Sequence, residues 1–122
     1  MEQQKFSLRK RAGSFRFAFE GLAQFFKTQH NAIIHAVLTI AVLVLSVIVH
    51  LSATKWLFVL LVIGLVWMAE LFNTAIEKLC DMVQPGLHPQ IKFIKDVSAA
   101  AVLVAAIVAL VTGCIIFIPE LL

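Results

Sequence analysis

The sequence predicts an all-α integral-membrane protein with one amphipathic helix at the membrane surface and three transmembrane helices. Apolar residues make up 61% of the 122-residue chain and charged residues only 14%, whereas soluble domains average about half apolar and about a quarter charged. Residues 28–54 and 97–119 contain no Asp, Glu, Lys or Arg. Each stretch exceeds the ~20 residues that a helix needs to cross the hydrocarbon core. We therefore expect a single membrane domain covering residues 1–122.

The N-terminal segment is periodic rather than uniformly apolar. At ~100° per residue one stripe collects apolar side chains and the charged ones lie away from it. The stripe comprises Leu8, Ala12, Phe15, Phe19, Leu22 and Phe26. This pattern predicts an amphipathic helix over residues 5–27 that lies in the membrane interface without crossing it.

Three spans are expected over residues 31–50, 55–82 and 93–117. The short linker Leu51–Ala53 separates the first two, and the segment 85–89, with two prolines and a glycine, ends the second. Within the second span, Glu70 interrupts the apolar stretch between Trp56 and Ile76. The cysteines, Cys80 and Cys114, are too far apart for a metal or redox motif and receive no role.

The distribution of the ten Lys and Arg residues predicts a cytoplasmic N-terminus. Lys and Arg flanking spans are retained on the cytoplasmic side. An N-terminus inside places all of them except Lys55 on that side, with Pro119–Leu122 outside. Six of the ten precede residue 28, within the segment of the predicted amphipathic helix, which suits an anionic membrane surface and gives no reason to expect nucleic acid as a partner.

Glu70 is the strongest candidate for a functional residue. An ionisable group in a span is costly and usually faces a protein interior or a wet cavity. A rise of ~1.5 Å per residue from Trp56 places Glu70 about 21 Å along the span, in the cytoplasmic half. Glu70, Asn73, Glu77 and Asp81 follow at spacings of three, four and four. They form one row along the helix, descending towards the cytoplasmic interface.

A second polar group opens the third span, where Lys92, Lys95 and Asp96 stand at its cytoplasmic end. Carboxylates bind Mg²⁺, a lysine offsets phosphate charge, and a carboxylate can take a proton from an attacking hydroxyl. These residue types suit phosphoryl transfer from a soluble nucleotide to a membrane-dissolved alcohol. Phe17, off the apolar stripe, is a candidate for stacking on a nucleotide base.

Other interpretations stay open at this point. A lone buried glutamate also suits a small proton-coupled transporter. The polar ends of the helices are individually typical of solvated termini. His30, His35 and His50 are interpreted as interfacial or capping residues, since a spacing of five does not give the shared face of i, i+4 metal ligands. His88 in the breaker segment could approach phosphate.

The run Glu70-Leu71-Phe72-Asn73-Thr74-Ala75-Ile76-Glu77, followed by Asp81 and by Lys95-Asp96-Val97-Ser98, resembles the signature of the small prokaryotic diacylglycerol and undecaprenol kinases. The segment Phe19–Leu22, the three spans and the chain length are similar as well, so the resemblance covers nearly the whole chain. It implies an ATP-dependent lipid kinase of the bacterial cytoplasmic membrane that uses Mg²⁺ and phosphorylates diacylglycerol or undecaprenol. It also implies a homotrimer with active sites between subunits, and three spans are too few to shield Glu70 from lipid on all sides.

The resemblance implies a role for each matching residue. Glu70 would be the general base, Asn73 would orient substrate or phosphate, and Glu77 would bind the metal ion. The nucleotide would contact Lys10, Phe17, Asp81, Lys95 and Asp96.

Gln29 departs from the family pattern, in which a glutamate shares the metal with Glu77. Gln29 stands at that position, and Ile33 replaces the usual arginine. An amide oxygen can coordinate Mg²⁺ but brings no charge, so we expect weaker metal binding. A degenerate, non-catalytic kinase homologue is therefore a further alternative.

Overall fold

A computed structural model of the protein describes residues 5–122 as four α-helices joined by short connections. Three of these helices are long and apolar enough to cross a membrane. The predicted all-α membrane fold is therefore confirmed. The described chain divides into two compact units, one ending at Ile34 and the other running from His35 to Leu122. The second unit contains Glu70 and most of the predicted site.

Helix α1 spans Leu8–Thr28 and begins three residues later than predicted. Ser7 is its N-cap, with a hydroxyl that accepts from the backbone N–H of Lys10, which stabilises the start of a helix by satisfying an unpaired donor. The predicted apolar stripe is largely exposed, including Leu8, Phe15 and Phe19. The helix thus presents an apolar face to its surroundings, as an interfacial helix requires.

Helix α2 spans His30–Ile48 and ends two residues before the predicted limit. His50 has a φ of 55°, the left-handed conformation that commonly terminates helices. The backbone N–H of Leu51 then donates to the carbonyl of Ser46. Asn, Asp and His tolerate this conformation better than other non-glycine residues, so His50 has the capping role expected of it.

Helix α3 spans Ala53–Val83 and helix α4 spans Pro89–Leu121. Helix α4 begins four residues earlier than predicted because Pro89 occupies its first turn. At that position a backbone N–H would have no partner within the helix, so the missing N–H of a proline costs nothing. It also continues through Pro119, whose missing N–H costs one backbone hydrogen bond in the last turns. The connection 84–88 is short, so α3 and α4 pack against each other as an antiparallel pair.

A small apolar cluster holds one end of the second unit together. Leu51, Val59 and Ile116 are buried there, and Lys55 at the start of α3 donates to Glu120 at the end of α4 across 2.5 Å. Most other large apolar side chains of α2, α3 and α4 remain exposed. Such a surface suits lipid rather than water. The charged groups at the opposite end of α3 and α4 form the candidate site.

Candidate active site

Glu70 is the deepest charged residue of the site. It lies on α3 and is only 6% exposed. Its Oε1 is 2.6 Å from Nε2 of His35 on α2. A buried carboxylate needs a hydrogen-bonding or charged partner, and within residues 5–122 no lysine or arginine forms an ion pair with Glu70. The partner is therefore a histidine that the sequence had suggested was interfacial or capping.

The position of His35 follows from the hairpin formed by α2 and α3. His35 stands 17 residues before Ser52 and Glu70 stands 18 residues after it, so an antiparallel arrangement puts them level. The same reasoning holds for Thr39 and Trp67, whose Oγ1 and Nε1 are 2.9 Å apart. This symmetry about the turn is the sequence signal that could have identified His35 as the partner of Glu70.

Asn73 and Glu77 continue the polar row one and two turns beyond Glu70. The Nδ2 group of Asn73 donates to Oε1 of Glu77 across 3.2 Å. The Oδ1 atom of Asn73 accepts from the hydroxyl of Ser98 on α4, at 2.7 Å. Ser98 is buried, and it is a second residue that the sequence reasoning left without a role. The feature of the sequence that could have identified Ser98 is its position one turn after Lys95 on the same helix.

Asp81 and Lys95 close the row at its exposed end. The Nζ atom of Lys95 donates to Oδ1 of Asp81 across 2.6 Å. Asp96 is not part of this contact, because its neighbour Lys92, one turn earlier, donates to it instead. Consecutive residues on a helix point about 100° apart, so Lys95 faces α3 while the Lys92–Asp96 pair is exposed to the surroundings.

The remaining predicted residues lie in the first unit. Lys10 lies in the first turn of α1 and is exposed. Phe17 is also exposed, and the guanidinium of Arg16 lies 5.3 Å from the centre of its ring. Gln29 is the C-cap of α1, and its side-chain amide donates to the hydroxyl of Thr28. These positions leave the expected nucleotide and metal roles of the three residues as predictions.

An apolar groove of about 470 Å³ adjoins the deep end of the polar row. His35, Thr39 and Trp67 line it beside Glu70, and apolar side chains of all three long helices, among them Val59 and Phe117, form the rest of its walls. A buried carboxylate thus stands between an apolar groove and a row of polar groups that becomes progressively more exposed.

Fold and site together define a small multi-pass membrane protein with acidic, amide and basic side chains gathered along two antiparallel helices. Residues 16–117 match the family of prokaryotic diacylglycerol kinases. The chain is 38% identical over 108 residues to the undecaprenol kinase of Bacillus subtilis (strain 168), a match that covers 88% of each protein. The chain therefore belongs to the prokaryotic diacylglycerol kinase family, as the resemblance predicted.

Two further relatives carry the name diacylglycerol kinase. The protein of Synechocystis sp. is 39% identical over 110 residues, which are 89% of this chain and 63% of that one. The protein of Escherichia coli (strain K12) is 42% identical over 52 residues, or 43% of each chain. Membership of a lipid-kinase family favours neither a proton-coupled transporter nor a degenerate homologue.

Proposed function

We propose that this protein transfers the γ-phosphoryl group of ATP to the hydroxyl of a membrane-dissolved lipid alcohol. The observation that carries the proposal is the row from buried Glu70 to exposed Asp81 and Lys95, which spans the change from apolar to polar surroundings. A lipid hydroxyl can approach such a row from its buried end and a nucleotide from its exposed end. The relatives described above carry the names undecaprenol kinase and diacylglycerol kinase.

In this proposal Glu70 is the general base. Its carboxylate takes the proton of the lipid hydroxyl while the hydroxyl oxygen bonds to the γ-phosphorus. The bond from the γ-phosphorus to the bridging oxygen breaks, and ADP leaves with that electron pair. A positioned base contributes about 10²–10⁴-fold to such a rate. The groove beside His35 has apolar walls suited to part of the hydrocarbon chain of the lipid.

The nucleotide end of the site is assigned to Lys95, Asp81 and Asp96, with Lys10 and Phe17 as further nucleotide contacts proposed on the family resemblance. The ammonium group of Lys95 can offset phosphate charge, and a lysine acts there as a point charge. Its contact with Asp81 holds the ammonium group beside α3. Asp96 is exposed and paired only with a flexible lysine, so it can change partner when a nucleotide binds.

The donor set fits Mg²⁺ bound together with a nucleotide. Within residues 5–122, no group of three or more His, Cys, Asp or Glu side chains is placed to hold a metal ion. Mg²⁺ commonly binds through one or two carboxylates plus phosphate oxygens and water, which a single carboxylate satisfies. Glu77 would supply that carboxylate, with Gln29 as the second protein ligand implied by the family pattern. When bound, the ion offsets charge on the transferring phosphoryl group.

The proposed setting is the bacterial cytoplasmic membrane, with the N-terminus and the connection 84–88 on the cytoplasmic side. The Lys and Arg distribution supports this orientation. A homotrimer is proposed on the family resemblance, which implies active sites between subunits. The expectation that a neighbouring subunit is needed to shield Glu70 is not supported, because one chain already buries this residue. Cross-linking in membranes, followed by mass determination in detergent, tests the number of subunits.

In the decisive experiment, the purified protein is incubated with labelled ATP in mixed micelles that contain diacylglycerol or undecaprenol. We expect labelled phospholipid from at least one alcohol, and the comparison of the two rates identifies the preferred substrate. The Glu70→Gln protein is the control for contaminating kinases. Failure to phosphorylate either lipid, with the protein still folded, contradicts the proposal.

A further inference from the structure

The contact between α2 and α3 at Glu70 assigns a role to His35, which the sequence alone suggests is an interfacial or capping residue. We infer that His35 is a positioning residue for the catalytic carboxylate: it holds one oxygen of Glu70 so that the other oxygen meets the lipid hydroxyl. This inference rests on the proposed function. It is carried by the 2.6 Å contact between Nε2 of His35 and Oε1 of Glu70.

The contact engages one carboxylate oxygen and leaves the other available. Within residues 5–122, Glu70 makes no second side-chain hydrogen bond, and no buried polar side-chain atom lacks a partner. The Oε2 atom, which has no hydrogen-bond partner among these residues, is therefore accessible from the surface of the protein. It is the oxygen that can accept a proton from a substrate hydroxyl while Oε1 stays bonded to His35.

His35 is well placed to fix the direction of a flexible side chain. A glutamate has three rotatable bonds, and an undirected carboxylate spends little of its time within hydrogen-bond reach of a reacting hydroxyl. His35 projects from a different helix, and the ring of Trp67 meets its imidazole edge-on with centroids 6.2 Å apart. The imidazole is thus held between two helices, and it transmits that restraint to Glu70.

The other charged groups around the row are engaged elsewhere. On α4, Lys95 donates to Asp81 and Lys92 donates to Asp96. On α3, Glu77 accepts from Asn73. Within the described part of the chain, His35 is thus the only ionisable side chain in contact with Glu70. Removal of its N–H leaves the carboxylate without a protein donor, and no neighbour is placed to substitute.

Two substitutions separate the N–H group from the bulk of the side chain. His35→Leu keeps a similar volume without a donor, and His35→Gln restores an N–H near the position of Nε2. We expect His35→Leu to lower kcat by about 30–100-fold, with little change in the KM for ATP or in the KM for the lipid, since the lost restraint acts on the transition state. We expect His35→Gln to recover most of that loss, to within about fivefold of the unaltered protein.

Lys55→Gln provides the control for a purely structural role, because it removes another side-chain contact between helices, at the end farthest from the polar row. If His35 only held the helices together, both substitutions would lower stability and activity alike. We expect Lys55→Gln to lower the melting temperature in detergent, yet to keep kcat within about threefold. An equal loss of kcat in Lys55→Gln, or an unchanged kcat in His35→Leu, overturns the inference.

The double substitution with Glu70→Gln completes the test. If His35 acts only through Glu70, His35→Leu adds no further loss to the residual rate of Glu70→Gln. An additional loss of the same size in that background shows an independent role and overturns the inference. Absence of lipid phosphorylation by the unaltered protein overturns the proposed function itself, and the two failures are thereby told apart.

Discussion

The hydroxyl of Ser98 donates to the side-chain oxygen of Asn73 across 2.7 Å, and this contact decides which way the Asn73 amide faces. With Oδ1 engaged by α4, the Nδ2 group is turned towards Glu77 and donates to its Oε1. A buried serine on one helix thereby orients the carboxylate proposed to bind Mg²⁺ on another. Such outer hydrogen bonds commonly tune the affinity of a metal ligand.

Ser98→Ala should weaken metal binding. Without the serine hydroxyl the Asn73 amide is free to rotate, and Glu77 loses its fixed donor. We expect the Mg²⁺ concentration for half-maximal activity to rise by about tenfold, measured from initial rates at saturating ATP. Ser46→Ala is the control, since Ser46 is also buried but donates to the carbonyl of Val42 in its own helix. Identical Mg²⁺ curves for the two variants would contradict the prediction.

Glu70→Gln should remove nearly all turnover without unfolding the protein. Glutamine cannot accept the hydroxyl proton, and loss of a general base costs about 10²–10⁴-fold. The fold should survive because the oxygen of a glutamine at residue 70 can still accept from His35. Glu20→Gln is the control, as Glu20 pairs only with Arg16 on the exposed side of α1. Full turnover by the Glu70 variant would remove this residue from the role of base.

Lys95→Met should raise the KM for ATP by about 10–100-fold, the range expected for loss of one hydrogen bond to a charged group. The methionine keeps the apolar stem of the side chain and removes only the ammonium group. We expect little change in melting temperature, because exposed ion pairs contribute little to stability. Lys78→Met, an exposed lysine on α3, is the matched control. An unchanged KM would show that Lys95 does not contact the nucleotide.

Gln29→Glu should lower the Mg²⁺ requirement. A carboxylate brings charge to a position where the family pattern has a glutamate, and Mg²⁺ prefers charged oxygen ligands. We expect a several-fold higher rate at limiting Mg²⁺ and a smaller gain at saturation. Gln24→Glu makes the same chemical change five residues earlier, at an exposed position of α1. A similar gain from that control would indicate a general charge effect.

Lys55→Gln should affect stability and leave catalysis intact. Lys55 and Glu120 join the ends of α3 and α4 farthest from the polar row, and both side chains are partly exposed. A partly exposed pair is worth up to about 1 kcal/mol. We therefore expect a small decrease in melting temperature and wild-type kcat at low temperature. A large fall in kcat with an unchanged melting temperature would refute this separation of roles.

Part of the site was predictable from helical spacing alone. Glu70, Asn73, Glu77 and Asp81 share one face of α3 because their spacing matches the helical repeat, whatever surrounds them. The family resemblance implied that Lys95 and Asp81 contact the same nucleotide, and the structure places Lys95 on Asp81. Asp96 could not be separated from Lys95 in this way, since only the rotation of α4 about its axis shows that Asp96 faces elsewhere.

The sequence by itself determined the class of fold, the helices that can cross a membrane and the acidic face of the middle span. These properties follow from the length of apolar stretches and from spacing within one helix, which are local. Only the tertiary structure decided that His35 is the partner of Glu70 and Ser98 that of Asn73. Each of those contacts joins two helices, so it depends on how far one helix is rotated and shifted against the other, which no spacing within a single helix records.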